Sequence, residues 1–231
     1  MIFPERCPGC DRVHKVGHHG FCDKCEPLIR IPQGNVCPYC GKPLPEELLC
    51  CPDCRGREED GVIGQSAMLY SGMMRDSIAR FKAGHRAEYA QTYAEYLWKT
   101  QRDFLEQMGD AVLIPVPMYD KKVRKRGYNQ AELIAAALTK YCHYPAEKRL
   151  LRKIKETKAQ KSLAKRERMA NLEDAFWCDP EVAMLYLPGK CAIIIDDIYT
   201  TGATVQACAR ALRRVGFTEV YFLCVCIGVK V

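Results

Sequence analysis

Eight cysteines near the start of the chain form four pairs, and each pair encloses two residues. The pairs are Cys7/Cys10, Cys22/Cys25, Cys37/Cys40 and Cys51/Cys54. A turn between two such cysteines places both thiolates on one side of a metal ion, and a second turn completes the tetrahedron that Zn²⁺ prefers. Residues 7–54 hold nine of the fifteen cysteines, and the rest are scattered singly. This distribution favours metal binding in a reducing compartment over a disulfide scaffold. The sequence therefore predicts structural zinc, as one or two ions.

The spacing leaves the pairing of these turns open. Sequential pairing would give one four-cysteine site within residues 7–25 and another within residues 37–54. An interleaved cross-brace would instead join the first pair to the third. Cys50, beside Cys51, is either a spare thiol or a ligand. The histidines that could replace a cysteine are His14, His18 and His19.

Residues 1–60 contain few large apolar side chains, so they could hardly fold without metal. The zinc-binding module is therefore predicted to stabilise its own fold. The alternative is that the module binds nucleic acid or a partner protein. The net charge of −2 over residues 1–60 disfavours DNA binding. An acidic, glycine-bearing junction at residues 56–64 predicts two domains, the zinc module at 1–60 and a larger domain at 61–231.

A second chemical pattern occupies residues 193–204, with the sequence IIIDDIYTTGAT. An apolar strand is predicted to end in Asp196 and Asp197 and to pass through a small, hydroxyl-rich turn into a helix. Gly202 lets the backbone of that turn adopt a positive φ or approach a ligand closely. Amides of residues 199–204 would then bind a phosphate at the helix N-terminus. The hydroxyls beside them belong to Thr200, Thr201 and Thr204. Two adjacent carboxylates would repel a bare phosphate, so we expect them to bind a sugar diol.

From residue 62 onwards, strand and helix patterns alternate. The predicted strands are 62–70, 111–116, 175–178, 191–195 and 219–227. The predicted helices are 73–82, 86–108, 129–141, 165–171 and 203–215. Asn129 is the predicted N-cap of its helix, with Glu132 three residues on. The alternation predicts an α/β fold with a doubly wound, mainly parallel sheet. Ligands of such sheets sit beyond the carboxyl ends of the strands.

The net charge of +7 is unevenly distributed, because residues 121–168 alone carry +12. Such a run is often only a solvated face, but beside a phosphate loop it favours an anion-binding surface. Apolar runs stay below the roughly 18–20 residues that a membrane span needs. The N-terminus lacks the pattern of a secretory signal. We therefore expect a soluble cytoplasmic protein.

Residues 193–204 resemble the phosphoribosyl diphosphate (PRPP) loop of type I phosphoribosyltransferases. Together with the cysteine pairs, they make the chain resemble the ComF competence family over essentially its full length. Two further stretches carry this resemblance. One is Ile114-Pro-Val-Pro117 followed by Arg124-Lys-Arg-Gly-Tyr-Asn-Gln130, and the other runs from Arg152 to Phe176. The resemblance implies a small zinc module followed by a type I phosphoribosyltransferase-like sheet.

The resemblance also implies roles for individual residues. Asp196 and Asp197 would bind the ribose hydroxyls, and residues 153–168 would form a mobile hood over the site. Those implied to contact the 5′-phosphate are Tyr199, Thr200, Thr201, Gly202, Ala203 and Thr204. Those implied to face the pyrophosphate are Pro115, Val116, Pro117, Arg124 and Arg126. Catalysis would rest on the two aspartates and the two arginines, with Mg²⁺ bound alongside PRPP.

Two classes of function remain open at this point. The first is a Mg²⁺-dependent phosphoribosyltransferase that acts in DNA uptake. The second is a non-catalytic protein of DNA uptake that binds single-stranded DNA through residues 121–168, or that senses PRPP. Other competence proteins are expected partners in either case. The acceptor is not identified, because only residues 226–231 are left to form a base pocket after the last strand.

Overall fold

The computed structural model describes residues 5–14, 19–56, 62–155, 172, 174–187, 189 and 191–229. The strands among them are β1 (Ile63–Leu69), β2 (Ala111–Pro115), β3 (Leu151–Lys153), β4 (Phe176–Cys178), β5 (Cys191–Tyr199) and β6 (Val220–Ile227). The helices are a 3-10 turn (Glu26–Leu28), α1 (Met73–Ala83), α2 (Tyr89–Glu106), α3 (Asp120–Arg126), α4 (Gln130–Cys142), α5 (Pro180–Met184) and α6 (Ala203–Arg214). The predicted helix 165–171 and residues 156–168 of the predicted hood lie outside the described residues.

The main sheet has the strand order β1-β6-β5-β2, and its neighbouring strands are all parallel. β3 and β4 form a separate antiparallel pair. The predicted α/β fold with a doubly wound parallel sheet is confirmed. Helices α2 and α4 cover one face of the sheet, and α6 covers the other.

Two of the differences from the sequence prediction bear on the end of the sheet where ligands are expected. β5 continues to Tyr199, four residues past its predicted end at 195, so Asp196 and Asp197 stand within the strand. β6 lies alongside and pairs Cys224 with Asp196 and Ile227 with Tyr199, so the backbone stays in the ladder despite the two carboxylates. The basic segment after β2 forms the short helix α3, which was not predicted. β3 and α5 were not predicted either.

Alternating residues of β5 separate two hydrophobic cores. Ile193 and Ile195 pack with residues of α1, α2 and α4 on one face of the sheet. Ala192 and Ile194 pack with residues of α6 and the β3–β4 pair on the other. This period of two is the expected geometry of a strand that is buried on both faces.

The cysteine pairs extend these two cores. Residues 7–25, here called the first knuckle, contribute Cys7, Phe21 and Cys25 to the core that contains α1 and α2. Residues 37–54, the second knuckle, contribute their four paired cysteines to the core that contains α6. Each knuckle therefore contributes to the core on a different side of the main sheet. Within the described ranges, every helix is too short or too polar to cross a bilayer.

Candidate zinc sites and phosphate cleft

Four cysteine sulfurs cluster in each knuckle, and the sulfurs of one cluster all lie within 4.8 Å of one another. The first cluster is Cys7, Cys10, Cys22 and Cys25, and the second is Cys37, Cys40, Cys51 and Cys54. Zn–S bonds of about 2.3 Å in a tetrahedron place sulfurs about 3.8 Å apart. The separations of 3.9 Å between Cys10 and Cys22 and 3.6 Å between Cys40 and Cys51 match that geometry. Both clusters fit structural zinc, and the pairing is sequential rather than cross-braced.

The other candidate ligands lie beside these clusters. Cys50 Sγ is 4.0 Å from Cys37 Sγ but does not join the second four-cysteine cluster. His14 Nε2 is 2.7 Å from the carbonyl oxygen of Gly20, and His19 pairs with Glu5. His18 lies outside the described residues. Among the residues that the structure describes, each candidate zinc site is thus built from cysteines.

Burial makes the charged thiolate form of these cysteines unfavourable unless a cation is bound. It raises the pKa of the Cys7 thiol, and burial followed by the charge of Cys54 raises the pKa of the Cys51 thiol. Without a cation, Cys7 and Cys51 would therefore hold their protons at neutral pH, whereas the hydrogen bond from Cys40 lowers the pKa of the Cys54 thiol to about 5. A bound zinc ion would stabilise the thiolates and release the protons, which couples metal binding to folding.

A cleft of about 380 Å³ opens at the carboxyl ends of β2 and β5. The lining includes seven of the residues predicted to bind PRPP, namely Val116, Pro117, Arg126, Asp196, Asp197, Thr200 and Thr204. These residues come from separate parts of the chain, and the parallel sheet brings them together. This place is where ligands of doubly wound sheets are expected to bind.

The other six predicted residues do not belong to the described lining of this cleft: Pro115, Arg124, Tyr199, Thr201, Gly202 and Ala203. Arg124 is exposed on α3. The Tyr199 ring stacks on Phe222 at 4.6 Å between centroids, and its hydroxyl is 3.8 Å from Cys54 Sγ. Gly202 has φ 77° and directly precedes α6, so its backbone adopts the positive φ that a glycine at this position was expected to allow. Their roles as ligand contacts stay predictions.

The two aspartates differ in environment. Asp197 is buried, and its Oδ1 is 2.9 Å from the Lys82 ammonium nitrogen. Its backbone N–H donates to Asp196 Oδ1 at 2.8 Å. Burial, followed by the charge of Asp197, raises the pKa of Asp196 above its ordinary value. The negative charge of Asp197 is therefore neutralised by the Lys82 ammonium group. Asp196 has no such direct partner within the part of the chain that the structure describes, and its raised pKa means that it retains a proton more readily.

Three lysines line the cleft: Lys82, Lys122 and Lys153. Sequence reasoning placed Lys153 in the predicted hood but did not assign Lys82 or Lys122 to the site. With Arg126, the three lysines bring four cationic side chains to a cleft that holds two carboxylates. Burial, followed by the charge of Lys122, lowers the pKa of Lys153. Lys122 and Lys153 fall inside the strongly basic stretch, so charge distribution was a signal for them. Lys82 comes from α1, in a region of slightly negative net charge, and only the fold reveals its position.

Gln130 connects the cationic side of the cleft to α1. Its Oε1 accepts from Arg126 Nη1 at 2.6 Å, and its Nε2 donates to the Phe81 carbonyl at 3.2 Å. The Tyr128 hydroxyl donates to the same carbonyl at 2.6 Å. Because Lys82 follows Phe81 directly, this network holds both Lys82 and Arg126 at the cleft.

Asn129 connects α4 to the end of β2. Its side chain accepts from the Ala131 N–H at 3.1 Å, which confirms it as the N-cap of α4. Its Nδ2 also donates to the Val116 carbonyl at 3.0 Å. The cap thereby fixes the backbone where β2 enters the cleft.

The fold and the cysteine clusters define a class of protein that combines N-terminal zinc-binding modules with a parallel α/β domain of the doubly wound type. Residues 1–55 match the double zinc ribbon domain family. Competence protein ComFC of Bacillus subtilis is 31% identical over 202 residues, which cover 84% of this chain and 78% of that protein. Competence protein F of Haemophilus influenzae is 28% identical over 227 residues, 95% of each chain. DNA utilization protein YhgH of Escherichia coli K12 is 27% identical over 230 residues, 98% of each chain. The chain belongs to the ComF family.

Proposed function

We propose that the cleft binds PRPP together with Mg²⁺ and that the chain is a phosphoribosyltransferase with an acceptor still to be identified. One observation carries this proposal. Asp196 and Asp197 share a single cleft with the hydroxyl-bearing Thr200 and Thr204 and with four cationic side chains. A ligand that fits needs a diol, a phosphate and a further anionic group, and PRPP has all three.

The sugar and its phosphate would lie along the end of β5 and the start of α6. The carboxylate oxygens of Asp196 and Asp197 would accept hydrogen bonds from the ribose hydroxyls. α6 has twelve residues, and the Gly202 that precedes it offers no side-chain cap to its first amides. A phosphate is stabilised at such a helix N-terminus by the amides and the helix dipole. Thr200 and Thr204 lie on the cleft side of this turn.

The pyrophosphate would face the cationic side of the cleft. Lys122, Arg126 and Lys153 would stabilise the charge that develops as pyrophosphate leaves C1 of the ribose. Bound Mg²⁺ would add a Lewis acid on the phosphate oxygens. The acceptor attacks C1 directly, so a covalent enzyme intermediate is not required. The protein's own contribution is to position the groups and stabilise charge.

Calorimetry with PRPP and Mg²⁺ tests this proposal. Wild-type protein should bind, and Asp196→Asn combined with Asp197→Asn should weaken binding at least a hundredfold, since two charged hydrogen-bond acceptors are lost. Glu46→Gln combined with Glu47→Gln is the matched control, because it neutralises an exposed adjacent carboxylate pair on the second knuckle. Unchanged affinity in the aspartate variant would overturn the site assignment.

The biological role is inferred from relatives that are named competence and DNA utilization proteins. We propose that this chain also serves the uptake or use of DNA, in the cytoplasm and together with other competence proteins. Deletion of its gene should lower transformation by linear DNA. A variant with both cleft aspartates replaced would show whether that role requires the cleft.

A second candidate function is non-catalytic binding of single-stranded DNA. Helix α3 favours it, because Lys121, Lys122, Arg124 and Lys125 are exposed on one seven-residue helix. Such binding would be electrostatic, so its affinity for a labelled oligonucleotide should fall steeply as salt rises. DNA binding without any PRPP binding would favour this function over the transferase.

A further inference from the structure

Lys42 of the second knuckle reaches the turn that would hold the phosphate. Its side chain is buried, and its Nζ donates to the carbonyl oxygen of Thr200 at 2.6 Å. The same nitrogen is 2.6 Å from Asp53 Oδ2, and Asp53 is buried as well. Thr200 itself lines the cleft. A buried ammonium group therefore joins the second knuckle to the proposed ligand site.

The position of Lys42 depends on the second cysteine cluster. Lys42 lies two residues after Cys40, and its carbonyl accepts from the Cys37 N–H at 2.8 Å. Asp53 lies inside the turn between Cys51 and Cys54. Each partner of the ion pair thus belongs to a different cysteine turn, and a metal ion shared by the four sulfurs would hold the two turns together.

A second contact joins the same two parts of the chain. The Tyr199 hydroxyl lies 3.8 Å from Cys54 Sγ, and Lys42 Nζ lies 5.8 Å from the centroid of the Tyr199 ring. Tyr199 directly precedes Thr200 at the end of β5. The second knuckle therefore contacts two consecutive residues at the point where the strand enters the turn.

The first knuckle makes its main polar contacts elsewhere. Arg80 of α1 donates to the carbonyls of Pro8 and Gly9 at 2.9 and 2.7 Å. Arg86 donates twice to Asp11, at 2.7 and 2.9 Å. These contacts attach the first knuckle to the region of α1 and α2, so the two knuckles offer an internal comparison.

We propose that Lys42 is a positioning residue that sets the backbone of residues 200–204, so that phosphate binding depends on the second cysteine cluster and not on the first. In a trans peptide the C=O and the following N–H point in opposite directions. Fixing the Thr200 carbonyl towards the knuckle therefore fixes the direction of the Thr201 N–H. This inference rests on the proposed function, because it assumes that residues 200–204 hold a phosphate.

The main test compares Lys42→Met with Lys24→Met in the full-length, zinc-loaded protein. Both changes remove one positive charge from a knuckle, but Lys24 is exposed on the first one. In ligand-free protein, Lys42→Met should speed amide hydrogen exchange of residues 199–206 about tenfold, while Lys24→Met leaves it unchanged. Calorimetry with ribose 5-phosphate should show about tenfold weaker binding for Lys42→Met only, as expected for the loss of a charged hydrogen bond.

The two readouts separate failure of this inference from failure of the proposed function. Equal exchange in wild type and Lys42→Met, with zinc retained, would overturn the role of Lys42. Absence of PRPP binding by the wild type, in the calorimetry that tests the proposed function, would overturn that function, whatever the exchange rates show.

If Lys42→Met loses zinc, a second pair of variants tests whether the turn at residues 200–204 depends on the second cysteine cluster. Cys10→Ser removes a ligand of the first cluster, and Cys51→Ser removes one of the second. Faster exchange at residues 199–206 in Cys51→Ser alone would support the inference. Equal exchange in the two variants would overturn it, because the turn would then respond to metal loss in general.

Discussion

Asp196 and Asp197 are neighbours in the chain, yet the fold treats their charges differently. Lys82 of α1 forms an ion pair with Asp197 of β5, with 2.9 Å between the ammonium nitrogen and the carboxylate oxygen. Asp196 has a raised pKa because of burial and the adjacent charge. Under the proposed function, the ribose hydroxyls would donate hydrogen bonds to both carboxylates. Ligand binding and the protonation of Asp196 should therefore be linked.

The raised pKa predicts a pH-dependent stability. The folded protein holds the Asp196 proton more tightly than the unfolded chain, whose aspartates titrate near about 4. The tighter binding of this proton stabilises the folded state fully below the pKa of the unfolded chain. That stabilisation is lost as the pH rises through the raised pKa of folded Asp196. Asp196→Asn does not ionise, so its free energy of unfolding should exceed that of wild type at pH 8 by on the order of 1 kcal/mol, and by less at pH 5. Urea unfolding with zinc present measures the difference.

Asp197→Asn serves as the comparison for that experiment. It should destabilise the protein at both pH values, because the partly buried Lys82 ammonium loses its partner. A gain for Asp196→Asn that did not grow with pH would contradict the assigned charge state.

The two arginines of α3 should differ in their effect on ligand binding. Arg126 lines the cleft and bonds to Gln130, whereas Arg124 is exposed outside the described lining. Arg126→Ala should weaken PRPP binding about tenfold, as expected for a charge-assisted hydrogen bond, and Arg124→Ala by less than about threefold. Calorimetry with PRPP and Mg²⁺ measures both. Equal losses would mean that α3 acts only through its overall charge.

At the scale of elements, the cleft depends on how the end of α1 meets the start of α4. Gln130 bridges the Phe81 carbonyl and Arg126, so it aligns two helices and two cationic side chains. Gln130→Ala should lower the free energy of unfolding by about 1–2 kcal/mol and also weaken PRPP binding several-fold. Gln91→Ala is the matched control, since Gln91 joins α2 to the Tyr141 hydroxyl of α4 at 2.8 Å.

The control should separate packing from positioning. Gln91→Ala is expected to lose stability on a similar scale and to keep its PRPP affinity. Similar losses of affinity in both variants, measured by calorimetry, would show that the helices act on the cleft only through general stability.

The elements were predictable from the sequence where local pattern decides the structure. Asn129 capped its helix as predicted, because the signal lies within the helix itself. The end of β5 was not predictable, because its last residues stay extended through hydrogen bonds to β6. The cysteine spacing predicted metal sites but not their pairing, which depends on how the turns fold back in space. Lys82 was missed for the same reason, because its partner Asp197 is distant in the chain.

At the scale of the whole molecule, the two knuckles belong to hydrophobic cores on opposite sides of one sheet. Cys7 and Cys25 belong to the core with α1 and α2, while Cys37 and Cys54 belong to the core with α6. The zinc sites should therefore stabilise more than their own turns. Loss of either ion would expose apolar side chains of the domain that carries the cleft.

Metal analysis and chelation test this coupling. We expect two zinc ions per chain, because each four-cysteine cluster fits one. A strong chelator should lower the midpoint of thermal unfolding of the whole chain in one cooperative step, by on the order of 10 °C, since losing several kcal/mol shifts a domain of this size by that amount. Hydrogen exchange should then rise in α1 and α2 for Cys10→Ser, and in α6 for Cys51→Ser. A chelated protein in which only residues 5–56 lose protection would mean that the α/β domain is stable without the knuckles, and that the shared cores add little to its free energy of folding.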